Sequence, residues 1–290
     1  MQYKSNRIKD LKSYFSIKLS KKFGREKANL YVNMLIAEII SEAIYKIPLI
    51  IDRPISESKI NLLEKYCNEL LADKPIQYVI GKTEFFGLEL KVNKNVLIPR
   101  DETEILVDLL IKNFKKEEGL KILDIGTGSG CIAISLAKNL NKAILNAVDI
   151  SEEALKTSSE NAEKNQAEIE FKKIDILNES EWDNITSKYD LIVSNPPYVR
   201  ESEKKLMDRN VLSYEPHSAL FVKDKNPLIF YEHIAKFAQN NLSERGVLAF
   251  EINEFLGDKT KKLLKENGFS EIDLIRDYNN KDRFVLCRLG

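Results

Sequence analysis

The chain has 290 residues, and its 45 Lys+Arg are balanced by 45 Asp+Glu; 43% of it is hydrophobic and 31% charged. This composition supports a sizeable core under a soluble surface and excludes a disordered or collagen-like chain. No apolar run reaches the ~20 residues needed to span a bilayer, so no membrane partner is expected. The cysteines, Cys67, Cys131 and Cys287, are odd in number and far apart, which argues against a disulfide framework and a CxxC zinc site and fits a reducing cytosol. His217 and His233 are too few for a histidine metal cluster, and no metal is expected. The N-terminus lacks the basic-then-apolar pattern of a signal peptide, so a cytoplasmic protein is expected.

The balanced charge is unevenly spread. Residues 1–75 carry 14 Lys+Arg against 9 Asp+Glu, a net +5, and residues 76–290 a net −5. Such a bias fits either a solvated helical surface or a face that meets an acidic macromolecule.

Residues 1–73 read as a helical domain. Apolar residues recur at helical spacing, as in Leu30, Met34, Ile36, Ile40 and Ile44, then Ile60, Leu63, Tyr66 and Leu70. Residues 74–98 form the next segment; from Gln77 to Val92 they are rich in Tyr, Val, Ile and Phe around Gly81 and Gly87, which predicts a linking β-hairpin. Residues 99–290 form the third. Asp101-Glu102-Thr103-Glu104 opens an apolar helix to Phe114, its carboxylates suiting a helix N-terminus. Strands then alternate with helices: strand 121–125, helix 131–140, strand 144–149, helix 152–165, strands 169–174 and 189–194, helix 227–242, strand 247–252 and helix 256–266. Two strands, 271–275 and 283–289, close the chain without a helix between them. The expected fold is α/β, a mostly parallel sheet covered by helices. The last strand pair is antiparallel, because a short turn cannot return a chain for parallel pairing.

Gly126-Thr127-Gly128-Ser129-Gly130 follows the strand Leu123-Asp124-Ile125 and enters a helix. Glycines there allow a sharp turn and close approach to a ligand. Asp149 ends the next strand, where a carboxylate can accept both hydroxyls of a ribose. The GxGxG spacing is not the GxGxxG that fits a pyrophosphate. Asp124, just before the loop, would repel a phosphate and attract an ammonium group. Together these features point to S-adenosylmethionine. Asp175, after the third strand, is placed to reach an adenine amino group.

Asp190–Ser194 runs directly into Asn195-Pro196-Pro197-Tyr198. Prolines at the carboxyl end of a parallel strand form a rigid rim without N–H donors. The Asn195 side-chain oxygen and the Pro196 carbonyl can each accept one hydrogen of a planar NH2 group. The Tyr198 ring can stack on that plane and face a positive methyl donor.

With this turn the sequence resembles amino-methyltransferases that act on planar nitrogens. Further stretches are similar to the HemK/PrmC family: Pro75-Ile76-Gln77-Tyr78, Gly81, Glu84-Phe85-Phe86-Gly87, Val96 through Glu104, Asp149-Ile150-Ser151 with Ala154-Leu155, Tyr214-Glu215-Pro216 and Ala219-Leu220. The resemblance covers about residues 75–290. It implies a Rossmann-like methyltransferase sheet, S-adenosylmethionine as cofactor, and methylation of the glutamine of the Gly-Gly-Gln motif in class I peptide chain release factors. By that resemblance Gly126, Thr127, Gly128, Ser129, Gly130, Asp149, Asp175, Ile176 and Asn195 bind the cofactor. Asn195, Pro196, Pro197 and Tyr198 hold the target amide, with Asn195, Pro196 and Tyr198 catalytic. The family usually has Pro where Asp101 stands and a glycine-bearing turn where Lys223–Asn226 stands. The alternative is an adenine amino-methyltransferase acting on DNA or RNA. A flipped base calls for an extra basic surface, so the −5 of residues 76–290 favours a protein substrate and no nucleic acid.

Overall fold

The computed structural model of the chain describes residues 3–290, which form two compact units. The first takes the residues up to Gly81 together with Asp208–Tyr214. It contains α1 (Ile8–Phe23), α2 (Arg25–Ile40), a 3-10 turn (Ile44–Ile50), α3 (Glu57–Leu71) and α4 (Ile76–Ile80). Gly24 separates α1 from α2 at φ 76°, a conformation that glycine adopts without strain. The α1 stripe Ile8, Leu11, Phe15 and Leu19 is buried with Val32, Leu35 and Ile36 of α2 and Ile60, Leu63 and Leu70 of α3. Burying each such side chain contributes about 1.5–3 kcal/mol.

Gln77–Ile80, expected within a hairpin, is helical instead. Pro75 presets φ at −54° ahead of the turn, and Gly81 ends it in the left-handed region. Ile76 and Val79 are then buried in the helical core, a tertiary gain that overrides the β-preference of these residues. The hairpin follows, as β1 (Lys82–Phe85) paired with β2 (Leu88–Lys91).

The second unit, Lys82–Met207 and Glu215–Gly290, starts with that hairpin. It continues with α5 (Asp101–Phe114), β3 (Lys121–Ile125), α6 (Cys131–Asn139), β4 (Ile144–Asp149), α7 (Glu152–Lys164), β5 (Ile169–Lys173), β6 (Tyr189–Ser194) and β7 (Val199–Arg200). After α8 (Arg209–Tyr214), which belongs to the first unit, come β8 (Phe221–Val222), α9 (Ile229–Asn241), β9 (Leu242–Glu251), α10 (Gly257–Glu266), β10 (Phe269–Arg276) and β11 (Asp282–Leu289). The seven-stranded sheet has the order β10-β11-β9-β6-β3-β4-β5. The β5-β4-β3-β6-β9 run is parallel, and β11 is antiparallel to both of its neighbours. Rossmann-like order and the antiparallel end strand are thus as expected. Two apolar cores lie on the sheet: Leu123, Ile192, Tyr231 and Phe250 in one, Ile122, Leu191, Leu106 and Phe284 in the other.

The chain steps outward from β3 to β4 and β5, then returns to lay β6 on the other side of β3. That reversal opens a crevice at the carboxyl ends of β3, β4 and β6, the place where open α/β sheets bind ligands. Among the described residues no helix is long and apolar enough to cross a membrane, and no group of three or more His, Cys, Asp or Glu is arranged to hold a metal ion.

Candidate active site

At that crevice lies a cavity of about 270 Å³. It is lined by Gly126–Ser129 after β3, Asp149 at the end of β4, Asp175 and Ile176 after β5, and Asn195, Pro196 and Pro197 after β6. The topology thus brings together residues as far apart in sequence as Gly126 and Pro197. Two expected residues are not in the lining: Gly130 and Tyr198.

The glycine loop turns over the end of β4. The N–H groups of Gly126 and Thr127 both donate to the Val148 carbonyl, at 2.8 and 3.1 Å. Gly126, Gly128 and Gly130 all have φ between 56° and 82°. Gly130 caps α6 rather than lining the cavity. A Cβ there would lie 3.0 Å from Ile134 Cδ1 and 3.1 Å from Ser158 Cβ, so its size lets the helix pack closely. Asn161 of α7, fully buried, donates from Nδ2 to the carbonyls of Ser129 and Lys91, each at 2.9 Å. It thereby ties the loop to the hairpin.

Asp149 accepts from Gly128 N–H on Oδ2 and from Ser151 N–H on Oδ1, both at 2.9 Å. Each oxygen keeps a lone pair for a further donor. Burial raises its carboxyl above the ordinary range, against these two backbone bonds. Ser151 also caps α7, accepting from Ala154 N–H. Asp175 accepts from Leu177 N–H at 2.9 Å, which fixes the turn at the Ile176 side of the cavity.

Asp124 lies buried beneath the loop instead of in the lining. Its Oδ2 accepts from the Thr127 hydroxyl at 2.7 Å, and its Oδ1 has no hydrogen-bond partner. Burial pushes this carboxyl up to about 7. Cys131 lines the cavity, and burial pushes its thiol up to about 12, so it is no thiolate nucleophile.

The Asn195 side chain is held by a buried chain of polar groups. Its Nδ2 donates to Thr103 Oγ1 at 3.1 Å; Thr103 donates to Glu251 Oε2 at 2.7 Å; the Tyr198 hydroxyl donates to Glu251 Oε1 at 3.0 Å. The Tyr198 ring therefore does not stack over the cavity. It packs against the core on one face of the sheet, with its hydroxyl drawn to the Glu251 carboxylate. Burial raises Glu251, opposed by its two hydroxyl donors and by Arg283. Ser194 adds support, donating to the Ile125 carbonyl at 2.7 Å and so locking the end of β6 to the end of β3.

A further part of the wall is the strap around Asn95–Leu97, Pro99 and Arg100, with Thr103, Ser218 and Ala219. Glu215 holds it: its buried carboxylate accepts from Ile98 N–H at 3.3 Å and from Arg100 Nη2 at 2.7 Å. Asn161 and Glu251 were outside the sequence expectations, and Thr103 fell only within a stretch matched by resemblance. Glu215 was matched only by resemblance. Their partners lie 32 to 148 positions away.

Left-handed glycines, a carboxylate closing the second strand and an apolar slot of Ile174, Ile176 and Phe230 fit a charged, ribose-bearing cofactor. Sheet and site define an S-adenosylmethionine-dependent methyltransferase. Residues 93–213 match the family model described as "Methyltransferase small domain". A methyltransferase structure from Pyrococcus furiosus superposes with a TM-score of 0.52 at 18% identity, covering 78% of this chain and 99% of that one. A release factor glutamine methyltransferase of Flavobacterium psychrophilum is 48% identical over 85% of this chain and 88% of its own length. One from Bacteroides thetaiotaomicron is 44% identical over 80% of this chain and 82% of its own. The chain belongs to the release factor glutamine methyltransferase family.

Proposed function

We propose that the chain methylates the side-chain amide nitrogen of the glutamine in the Gly-Gly-Gln motif of class I release factors, supporting translation termination in the cytoplasm. The observation that carries this reading is the fixed orientation of Asn195. Its Nδ2 is engaged by Thr103, so Oδ1 is the end left to accept from a substrate N–H. Pro196, in the same lining, contributes a carbonyl and no donor.

S-adenosylmethionine supplies an electrophilic methyl group on a sulfonium. Gly126–Ser129, Asp149, Asp175 and Ile176 would hold it, with Gly130 supporting the loop from behind. Asn195 and Pro196 accept the two hydrogens of the amide and aim its nitrogen. An amide nitrogen is a poor nucleophile, because its lone pair is delocalised into the carbonyl. Acceptors on both N–H bonds raise its electron density and stabilise the positive charge that builds on it. No cavity-lining residue is an evident strong general base, so orientation and electrostatics carry the rate, and one amide proton leaves after methyl transfer. Tyr198 acts from the core, through Glu251, rather than on the amide.

Among the described residues up to 73 none lines the cavity, and residues 1–75 carry the positive charge bias. Residues 1–73 are assigned to recognition of the release factor, with 74–98 as the linking hairpin segment and 99–290 as the catalytic domain.

The test is transfer of labelled methyl from S-adenosylmethionine to a release factor, to its Gly-Gly-Glu variant and to an adenine-containing duplex. Label is expected in the first alone, since a carboxylate offers no N–H donor. Label in the duplex and none in the factor would replace this reading with the nucleic-acid one.

A further inference from the structure

Whether the oxygen or the nitrogen of the Asn195 carboxamide faces the cavity decides whether the site accepts or repels an N–H donor. A carboxamide is nearly symmetric in shape, so packing alone does not choose between its two ends. Hydrogen bonding does. Thr103 has one hydroxyl proton and faces two partners, Glu251 at 2.7 Å and Asn195 at 3.1 Å. A carboxylate is acceptor-only, so the proton goes to Glu251. Towards Asn195 the hydroxyl then offers only a lone pair, and the carboxamide must present Nδ2 to it. Glu251 is itself fixed: the Tyr198 hydroxyl occupies its other oxygen at 3.0 Å, and the Tyr231 hydroxyl donates to its backbone carbonyl at 3.2 Å. Both Thr103 and Glu251 are buried, at 2% and 1% exposure. Water therefore cannot easily stand in for either partner.

We infer that Thr103 and Glu251 are positioning residues for methyl transfer: the carboxylate sets the direction of a three-member hydrogen-bond chain and thereby turns the Asn195 oxygen toward the substrate amide. Glu251 lies outside the cavity lining, and Thr103, at its edge, is assigned the role of fixing Asn195. Their effect arises wholly through Asn195, and it rests on the reading of Asn195 as the amide acceptor. A Thr103→Val side chain keeps the shape and removes both donor and acceptor. A Glu251→Gln side chain can donate to Thr103, which frees the Thr103 proton to point at Asn195 and favours the flipped carboxamide. The flipped form presents N–H to N–H.

The experiment measures kcat and KM with a release factor substrate, S-adenosylmethionine affinity by calorimetry, and melting temperature, for wild type, Thr103→Val, Thr103→Ser and Glu251→Gln. The expected result is a fall in kcat of about 10- to 100-fold for Thr103→Val and Glu251→Gln, the scale of a misaimed reactive group. KM should stay nearly constant, because a macromolecular substrate draws most of its affinity from surfaces away from the amide. Cofactor affinity should stay within about twofold, and Thr103→Ser, which keeps the hydroxyl, should restore kcat to near wild type. Wild-type kcat in Thr103→Val, or equal losses in Thr103→Ser and Thr103→Val, would overturn the inference. The Val and Ser pair decides it even if Glu251→Gln fails to fold. Absence of transfer by the wild-type protein would remove the underlying reading and the inference with it; transfer by wild type with Thr103→Val unchanged removes the inference alone.

Discussion

Arg100 Nη2 lies 2.7 Å from Glu215 Oε1, and the Glu215 side chain is only 1% exposed. The pair joins the strap that walls the cavity to a segment 115 residues further on. Removing one partner leaves the other charge poorly solvated. Arg100→Ala should therefore lower stability by about 2–3 kcal/mol and weaken cofactor binding, because the strap loosens. Denaturant titration of Arg100→Ala, Glu215→Gln and the double variant checks this; additive losses would show that the two side chains are not coupled.

Asn195→Ala removes the acceptor without touching the loop that would hold the cofactor. Turnover on release factor should fall about 10²–10³-fold, the usual loss for one preorganised group, while S-adenosylmethionine affinity holds. A parallel loss of both would place Asn195 in cofactor binding alone.

Asp149→Ala should weaken cofactor binding by about 1.5–3 kcal/mol, the range for hydrogen bonds to a charged group. Because Asp149 also accepts from Gly128 and Ser151, Asp149→Asn is the companion variant, and it should lose less. Wild-type affinity by calorimetry in both variants would exclude Asp149 from the site.

Gly130 sits at φ 82° with Ile134 Cδ1 and Ser158 Cβ within 3.1 Å of any added Cβ. Gly130→Ala combines left-handed strain of about 1–2 kcal/mol with a clash against buried neighbours. Its midpoint of urea unfolding should drop accordingly. An unchanged midpoint would mean that the loop reshapes freely, contrary to its packing.

The carboxyl of Asp124, pushed up to about 7 from 3.8, gives a pH signature. Between about pH 4 and 7 the folded protein holds a proton that the unfolded chain has released, so this group's contribution to stability falls as pH rises. Asp124→Asn removes that dependence. Relative to wild type, the cofactor-free variant should gain stability through this window, by on the order of 1–3 kcal/mol, and level off above it. Parallel stability profiles for the two proteins would show that Asp124 does not titrate there.

The residues legible in the sequence were those whose meaning is local. The glycine loop, Asp149 and Asn195-Pro196-Pro197 each sit at a strand end, and strand ends follow from the alternation of apolar runs and turns. The structure gathers them as that pattern implied. What was not legible depends on distant partners. Thr103 reads as one polar residue in an acidic helix start until β9 brings Glu251 against it, 148 positions away. Tyr198 reads as a ring beside a substrate plane, because nothing near it in sequence reveals the carboxylate that draws its hydroxyl inward. Asn161 looks like a surface residue of α7, yet it bridges the loop and the hairpin. Gln77–Ile80 misled in the opposite sense: its local β-preference was real, and burial of Ile76 and Val79 outweighed it.

The place of β11 has a consequence for synthesis. This last strand lies between β9 and β10, pairs Phe284 with Glu251, and its Arg283 carbonyl accepts from Ile252 N–H at 2.8 Å. A nascent chain that has exposed every motif of the cavity still lacks the strand that seats Glu251, and its β10 has no neighbour to join. Non-local strand pairing of this kind is slow and leaves edges open while it waits. Growth along the ribosome therefore yields a chain whose glycine loop and proline turn can form early, while the support behind Asn195 waits for β11 to pair Phe284 with Glu251.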